Sequence, residues 1–155
     1  MNLTGLADER VLPRVDDTNR PFFAGAARGE LMLPCCGACK HVFFYPRTAC
    51  PRCLATEPGW IRGSGRGVVR VAAAVHRPPW DDLPRRTPYV VALVQLEEGP
   101  TMLSTVEGLD PGSVVPGLEV TAAFERVRED LGLVRFIAEV PRAAGESIFG
   151  GEPDD

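Results

Sequence analysis

The sequence predicts a mainly β protein in which a short N-terminal helix and a cysteine-rich ribbon precede a barrel of five strands. All five cysteines of the 155-residue chain fall between positions 35 and 53. Beyond residue 67, runs rich in Val, Ala and Leu alternate with turns that contain Gly and Pro. We therefore divide the chain into a flexible arm (1–17), a helix and ribbon (18–62), a barrel (63–142) and a polar tail (143–155).

The segment after the arm contains the predicted helix. Thr18 or Asn19 can cap it, and Pro21 is tolerated in its first turn. Apolar residues then recur at helical spacing until Gly29, which ends the helix; they are Phe22, Phe23, Ala26 and Ala27. Residues 30–34 are predicted to form a short strand that leads into the cysteines.

Four of the cysteines have the spacing of a metal site: Cys36-x2-Cys39-x10-Cys50-x2-Cys53. Each Cys-x2-Cys pair can form a tight turn that directs two sulfurs to one point, and two such turns complete a tetrahedron of thiolates around zinc. Four thiolates leave no coordination position for water or substrate, so the predicted zinc is structural rather than catalytic. A reduced cluster without metal, or a redox pair, is the alternative.

Four neighbouring residues leave details of this site open. Cys35 could replace Cys36 as a ligand, although Cys35-x3-Cys39 makes a poorer turn. Lys40 and Leu54 occupy the positions after the second cysteine of each pair, where Gly is common. His41 lies inside the ribbon and could approach zinc, but four cysteines already fill the coordination shell. We expect packing or solvated roles for His41 and His76, the two histidines of the chain.

The aromatic run Phe43–Tyr45 allows two interpretations. These rings could stack on nucleic-acid bases, as in proteins that bind single strands. Alternatively, they form a small core between the metal and the helix together with Phe22 and Phe23. We favour the core, because little else in this segment could fill it.

The second half of the chain predicts the barrel. The five strand candidates are 68–76, 89–96, 101–106, 119–127 and 134–140. Five short antiparallel strands can close into a small barrel, for which the OB-fold is the first choice and an SH3-like barrel the alternative. Gly63–Gly67 is predicted to be a flexible joint between ribbon and barrel, and it lacks the helix that a dinucleotide-binding glycine loop requires.

Charge and hydropathy limit the classes of function. The net charge is −4, and residues 91–155 contain thirteen acidic but only four basic residues. This balance disfavours a nucleic-acid partner, because nucleic-acid binders present a basic face. No apolar run is long enough to span a membrane, and the first residues do not resemble a secretory signal. We expect a cytoplasmic protein.

The loop 77–88 is the strongest recognition candidate after the cysteines. It contains four prolines together with Trp and Arg, the residue types enriched in binding hot spots: Arg77, Trp80, Arg85 and Arg86. Asp81 and Asp82 in its middle would repel nucleic-acid phosphates. A merely solvated, proline-stiffened loop is the alternative.

An ordered series of short motifs spans roughly residues 12–140. In chain order the motifs are Thr18–Phe23, Gly29–Leu33, Cys36 with Cys39, Phe44–Arg47, Cys50–Cys53, Trp60, Ser64–Gly67, Val75–Pro79, Pro88–Leu93 and Glu98–Pro100. This series resembles the zinc-ribbon and OB-fold family of acyl-CoA-associated proteins, catalogued as domain of unknown function 35. Lys40 and Leu54 depart from the glycines of the family pattern.

The resemblance implies a subunit without a reaction of its own. Family members associate with thiolase-fold enzymes, among them acetoacetyl-CoA thiolases, hydroxymethylglutaryl-CoA synthases, phloroglucinol acyltransferases and the aldolases of steroid side-chain degradation, and sometimes with MaoC-like hydratases. The ribbon and helix would dock on the partner, while the barrel would help to enclose the acyl-CoA. A steroid side-chain retro-aldolase complex is the most specific expectation.

Two further expectations concern ligands. CoA carries several phosphate oxygens, which Arg66, Arg77, Arg85 or Arg86 could contact. The competing function is a single-stranded nucleic-acid-binding OB protein, and the acidic balance of residues 91–155 weighs against it.

Overall fold

The computed structural model describes residues 12–77 and 87–138. Within these residues the elements are, in chain order, α1 (Arg20–Ala27), β1 (Met32–Cys35), β2 (Gly59–Arg62), β3 (Arg66–Val75), β4 (Tyr89–Leu96), β5 (Thr101–Glu107), a 3-10 turn (Pro111–Ser113), β6 (Glu119–Arg128) and β7 (Leu131–Ala138). Strands β1 and β2 form a two-stranded sheet, and the other five strands close a barrel. The predicted mainly β architecture is confirmed.

The barrel has the strand order β3-β4-β5-β7-β6, and β6 returns to pair with β3. All neighbours are antiparallel except β5 and β7, which pair in parallel through Val106↔Phe136 and Glu107↔Ile137. Five strands closed in this Greek-key order form the predicted OB-fold. Strand β7 begins at Leu131, three residues before its predicted start, because the turn that precedes it is short.

Strand β2 was not predicted from the sequence. It pairs with β1 along its whole length, from Met32↔Arg62 to Cys35↔Gly59. A four-residue strand that begins with Gly and ends with Arg is too short to show a period of two. Its pairing with β1 closes the ribbon at its base, next to the barrel.

Helix α1 covers one end of the barrel. Phe22 and Phe23 are each 4% exposed and belong to the same hydrophobic cluster as the barrel strands. At Gly132 in β7, an added Cβ would lie 2.2 Å from the backbone nitrogen of Ala27. The end of the helix therefore rests directly on the backbone of β7, where only glycine leaves room for it.

Asn19 occupies the N-cap position of α1 but does not act as the predicted side-chain cap. Its Oδ1 instead accepts a hydrogen bond from the backbone N–H of Asp16, and its Nδ2 donates to the carbonyl of Arg14. At the other end, Gly29 has φ +79°, as expected of a residue that terminates a helix.

Two parts of the predicted domain organisation need correction. Leu12 and Val15 pack against the main core, so the later part of the predicted arm is structured. The segment Gly63–Gly67 is not a loose joint: the Gly63 N–H donates to the carbonyl of Leu31 at 2.7 Å. Glycine is needed here for two other reasons. Gly65 has φ +79°, which glycine adopts without strain, and a Cβ on Gly67 would lie 2.5 Å from the Val94 side chain. Residues 1–11 and the predicted tail 143–155 lie outside the described residues.

Candidate metal centre

The ribbon brings four cysteine sulfurs together. The Sγ atoms of Cys36, Cys39, Cys50 and Cys53 all lie within 4.8 Å of one another. Cys36 and Cys53 are 3.5 Å apart, and Cys39 and Cys50 are 3.7 Å apart. A tetrahedral zinc with bonds of about 2.3 Å to sulfur has sulfur–sulfur edges of about 3.8 Å, so the spacing fits a closed four-thiolate site.

The two cysteine pairs share one backbone arrangement. The Cys36 N–H donates to the carbonyl of His41, and the Cys50 N–H donates to that of Ala55, at 2.9 Å in both cases. In the first pair the Lys40 N–H donates to the carbonyl of Cys36. In the second pair the Leu54 N–H donates to the carbonyl of Cys50, and both bonds are 3.0 Å long. The chain therefore builds the same turn twice, and each turn presents two sulfurs to the common centre.

Lys40 and Leu54 sit in left-handed backbone conformations, with φ of 60° and 63°. This conformation costs an L-residue about 1–2 kcal/mol, and glycine adopts it freely. Lys40 and Leu54 therefore adopt the backbone conformation that glycine would take at these positions, at this cost in free energy.

Backbone N–H groups donate hydrogen bonds to two of the sulfurs and lower the pKa values of those thiols. The Cys39 N–H donates to Cys36 Sγ at 3.5 Å and is the main cause that lowers the pKa of the Cys36 thiol from 9.0 to about 6. Burial raises the pKa of Cys50, but hydrogen bonds from the N–H groups of Cys53 and Arg52, together with those of the Cys39 and Cys53 thiols, lower that pKa overall.

Cys53 behaves in the opposite way. The Ala55 N–H lowers its pKa, but hydrogen bonds to the thiols of Cys36, Cys39 and Cys50 outweigh that effect and raise the pKa to about 12. Four thiolates held this closely repel one another, so a bound cation is what allows all four to be deprotonated together.

Cys35 and His41 lie outside the sulfur cluster. The Cys35 Sγ faces the carbonyls of Lys40 and Cys36, at 3.8 and 4.0 Å, rather than the other sulfurs. His41 stacks on Phe43, with ring centroids 6.1 Å apart and an interplanar angle of 24°. Neither residue belongs to the group of possible ligands within the described part of the chain.

The aromatic run divides between two surroundings. Phe43 is buried beside Cys36 and Cys50. Phe44 packs on Phe22 at 5.2 Å and joins the main core, while Tyr45 remains 44% exposed. Two of the three rings are thus used for packing, as the core interpretation expects.

Two of the four arginines predicted as alternative CoA contacts, Arg66 and Arg77, lie among the described residues, at opposite ends of β3. Arg66 begins β3 and Arg77 follows its end, so the length of the strand separates them. Arg66 is already paired with Glu97, at 2.8 Å. Arg85, Arg86 and Trp80 lie outside the described residues.

Two polar residues make structural contacts that were not predicted from the sequence. Asn19 is 6% exposed, and its amide donates to Tyr45 Oη at 3.4 Å, which ties the helix start to the ribbon. Glu98, in the turn between β4 and β5, accepts the N–H of Ser64 and so ties the barrel to the segment after the ribbon. Glu98 stands in a Glu-Gly-Pro turn, the one sequence signal that could have identified it.

Family models match both parts of the chain. Residues 23–59 match the rubredoxin-like zinc ribbon domain of ChsH2, and residues 60–125 match its C-terminal OB-fold domain. The boundary between the two models lies inside the β1–β2 sheet.

The similar proteins include DUF35 scaffold proteins and hydratase alpha subunits. A DUF35 domain-containing scaffold protein of Methanocaldococcus jannaschii is 38% identical over 61% of this chain and 67% of its own length. A probable enoyl-CoA hydratase alpha subunit of Thermomonospora curvata is 29% identical over 86% of this chain, which spans only 41% of that protein. The 3-oxo-4,17-pregnadiene-20-carboxyl-CoA hydratase alpha subunit of Mycobacterium tuberculosis is 44% identical over 42% of this chain and 20% of its own length.

Solved structures share the fold. A chain of the Ltp2-ChsH2(DUF35) aldolase superposes with a TM-score of 0.73 and 29% identity, over 83% of this chain and all of that one. A DUF35 protein of Sulfolobus solfataricus superposes with a TM-score of 0.58 at 16% identity, over 81% of this chain and 87% of its own, which supports the fold alone. Along residues 12–77 and 87–138, no helix combines the length and hydropathy required to cross a bilayer. From its ribbon, its barrel and these relatives, the chain belongs to the DUF35 family of ChsH2-like zinc-ribbon and OB-fold proteins.

Proposed function

We propose that this chain is a non-catalytic subunit that docks on a thiolase-fold acyl-CoA enzyme and helps to enclose its acyl-CoA. The observation that carries the proposal is the closed sulfur cluster on a chain that superposes on the DUF35 chain of an aldolase. Such a cluster stabilises structure and offers no open coordination position to a substrate.

Zinc is the metal that the donor set favours. Four thiolates in a tetrahedron suit zinc or iron, and the ribbon resembles a zinc ribbon domain. When bound, zinc would supply folding free energy rather than Lewis-acid chemistry. The chain's own part is to hold the four sulfurs at tetrahedral spacing and to donate the Cys39 and Arg52 amides toward them.

The described residues contain no evident catalytic pair. His41 stacks on Phe43, and His76 is exposed at the end of β3 with no hydrogen-bond partner among the described residues. A nucleophile needs a base within hydrogen-bond reach, and neither histidine has a serine or cysteine nucleophile in that position. These surroundings support a role in docking and substrate enclosure, with the reactive groups on the partner.

Co-purification tests the proposal directly. The tagged full-length chain, purified from its native host, should retain a thiolase-fold subunit that mass spectrometry identifies. The isolated zinc-loaded chain should show no turnover of acyl-CoA esters, whereas the complex should be active. Recovery of the chain alone at native expression levels, or turnover by the isolated chain, would contradict the proposal.

A hydratase partner is the second candidate. It is favoured by the similarity to two hydratase alpha subunits, one named a probable enoyl-CoA hydratase and the other a pregnadiene-carboxyl-CoA hydratase. The same purification separates the candidates, because the partner would then be a MaoC-like hydratase chain. A steroid side-chain retro-aldolase complex is the narrowest form of the first candidate, and it requires retro-aldol cleavage of a steroid acyl-CoA by the purified complex.

A further inference from the structure

The outer side of the barrel carries an exposed row of aliphatic side chains. Val71 on β3, Leu93 on β4 and Leu103 on β5 lie directly opposite one another in the register of the three strands. They are 57%, 39% and 64% exposed. Because side chains in such cross-strand positions lie about 5 Å apart at Cβ, these three form one continuous apolar strip, which we call the aliphatic row.

The positions beside the aliphatic row add no charge to it. The next outward positions of the same three strands, in register with one another, are Ala73, Val91 and Thr105. The only acidic residue of β3, β4 and β5 is Glu107, which is paired with Arg135 at 2.8 Å. The outer face of these strands is therefore apolar over two successive rows.

Strand β4 has the sequence of a strand that is covered on both sides. A strand with one side in water alternates apolar and polar residues, whereas a strand covered on both sides is apolar throughout. The sequence of β4 is YVVALVQL, in which the residues that alternate with the buried ones are Tyr89, Val91, Leu93 and Gln95. Leu93 is nevertheless exposed in the chain by itself. The sequence of β4 thus fits a barrel whose outer face is covered by another molecule.

The position and chemistry of the aliphatic row indicate a protein as that molecule. Strands β4 and β5 are the second and third strands of the barrel, and the outer face of these two strands is where OB-folds bind oligonucleotides and oligosaccharides. Single-stranded nucleic acid requires stacking rings and a cationic groove, whereas the row offers three aliphatic side chains. Small molecules bind in concave sites, and the outer face of a barrel is not concave. An apolar protein surface matches the row.

The area of this face is too small for a stable pair of identical chains. Three strands about 4.8 Å apart, taken over five residues of about 3.3 Å each, cover about 240 Å². A stable interface buries about 800 Å² on each partner. A different protein can contact this face and, at the same time, other surfaces of the chain.

Arg70 gives the face a charge that a second copy does not match. It lies at the β-bulge beside Val71, is exposed, and forms no ion pair with any residue in 12–77 or 87–138. The same face of a second copy would bring no free carboxylate to Arg70, because Glu107 is already paired with Arg135. The complementary surface is therefore apolar with a carboxylate at its edge.

We propose that the outer face of β3, β4 and β5 docks such a surface on the enzyme subunit with which this chain assembles. The aliphatic row packs on the apolar part of that surface, and Arg70 pairs with the carboxylate at its edge. The inference rests on the proposed function for the existence of the enzyme subunit, and it assigns residues to the contact. It gives the barrel a part in docking, in addition to the ribbon and the helix.

Titration of the zinc-loaded full chain against the separately purified enzyme subunit tests this surface. The subunit is the one that co-purification identifies, and biolayer interferometry measures the affinity. Leu103→Gln should weaken binding by about tenfold or more, because it removes apolar contact and buries an amide without a partner. Arg70→Glu should weaken binding by about fivefold or more, and Arg70→Lys by less, because lysine keeps the charge.

Ile137→Gln and Arg126→Glu are the matched controls. Ile137 is an exposed apolar residue on β7, and Arg126 is an exposed cation on β6, both outside the docking face. Neither substitution should change the affinity. A photo-crosslinking amino acid in place of Leu103 should link to the enzyme subunit, and the same amino acid in place of Ile137 should not. Zinc content and urea midpoint are measured for every variant, and Val71→Thr replaces Leu103→Gln if the latter is unstable, since threonine keeps a β-branched side chain.

Two results would overturn the assignment while the proposed function stands. One is wild-type affinity in both Leu103→Gln and Arg70→Glu. The other is a wild-type chain that sediments as a dimer by itself and that Leu103→Gln converts to a monomer, which would give the face to a second copy. The proposed function fails separately, when the wild-type chain retains a hydratase chain in place of a thiolase-fold subunit, and the same variants then test the face against that chain. Recovery of the wild-type chain without any enzyme subunit would overturn both.

Discussion

The ribbon, Met32–Arg62, and the barrel, Arg66–Ala138, are held together by different interactions. The main core joins sixteen buried hydrophobic residues, most of them from the barrel strands. The second cluster, inside the ribbon, contains only Cys36, Phe43 and Cys50. Ordering the backbone costs about 1–2 kcal/mol per residue, so three buried residues cannot order the two cysteine turns by themselves. The barrel depends on hydrophobic burial, and the cysteine turns depend on the metal.

The residues stabilised by the barrel's hydrophobic core are not all in the barrel segment of the sequence. Helix α1 precedes the ribbon in sequence, but Phe22 and Phe23 belong to the barrel's core. Leu33, in β1 of the ribbon, and Leu31, just before it, belong to it too. Metal loss should therefore unfold the two cysteine turns between about residues 36 and 58 and leave the helix on the barrel.

The largest expected effect follows from removing one ligand. Cys50→Ser should abolish tight zinc binding, because the ribbon then loses most of a binding free energy of about 10–16 kcal/mol. Bound zinc is measured by elemental analysis, and hydrogen exchange should show lost protection in residues 36–58 only. Cys35→Ser is the control, since its sulfur lies outside the cluster, and should retain zinc. Unfolding of the barrel in Cys50→Ser would show that the two regions are not separable.

The second prediction tests the barrel side of the comparison at α1. Gly132→Ala places a Cβ 2.2 Å from Ala27 N and 2.3 Å from Ala26 C, so the helix must move off β7. We expect a loss of about 3 kcal/mol in the free energy of unfolding, as for severe overpacking. Urea unfolding measures it, and zinc content should not change.

Gly112→Ala is the matched control. No heavy atom lies within 4 Å of the added Cβ, and the backbone there has no positive φ. The variant should be neutral or gain up to about 1 kcal/mol from reduced freedom of the unfolded chain. Equal stabilities of Gly132→Ala and Gly112→Ala would contradict the close packing of α1 on the backbone of Gly132.

Periodicity and spacing predicted most of the elements. The run Tyr89–Leu96 was predicted with the bounds it has, because a strand in a closed barrel buries every second residue of a β-branched run. The cysteines that come together are those of the two Cys-x2-Cys pairs, because each short turn positions its own two sulfurs.

Other features depend on contacts between distant parts of the chain, which local patterns do not encode. The close packing of α1 against β7 depends on Gly132, which lies more than a hundred residues away in the sequence. Strand β2 exists because β1 lies beside it. Arg66 and Arg77, two of the alternatives predicted for CoA, are separated by the length of β3.

The third prediction sharpens the account of the ribbon. Leu54→Gly relieves a left-handed residue whose side chain is 76% exposed, so little burial is lost. We expect a gain of about 1 kcal/mol, which appears as roughly fivefold tighter zinc binding in a chelator competition. Thr48→Gly, at an exposed ribbon position without positive φ, should instead weaken the ribbon by about 0.5–1 kcal/mol. A gain in both variants would contradict the assignment of strain to Leu54.

The smallest effect concerns an ion pair on the surface of the barrel. The Ser64 hydroxyl, and after it the Arg66 guanidinium, hold the pKa of Glu97 below its ordinary value of 4.5. Because the folded-state pKa is lowered, this interaction stabilises the fold above about pH 4.5 and is lost as the pH falls through the folded-state value. Glu97 is 52% and Arg66 67% exposed, so solvent and salt screen the pair.

Glu97→Gln should therefore leave zinc content unchanged and make the urea midpoint depend less steeply on pH between 5 and 3. Glu129→Gln removes an exposed carboxylate on the turn after β6 that has no ion pair among the described residues, and it should keep the wild-type slope. If acid weakened the barrel equally in the wild type and in Glu97→Gln, the acid sensitivity would have to come from other carboxylates. A zinc release that shifted in pH with Glu97→Gln would mean that this barrel pair also supports the ribbon, against the separation drawn between the two regions.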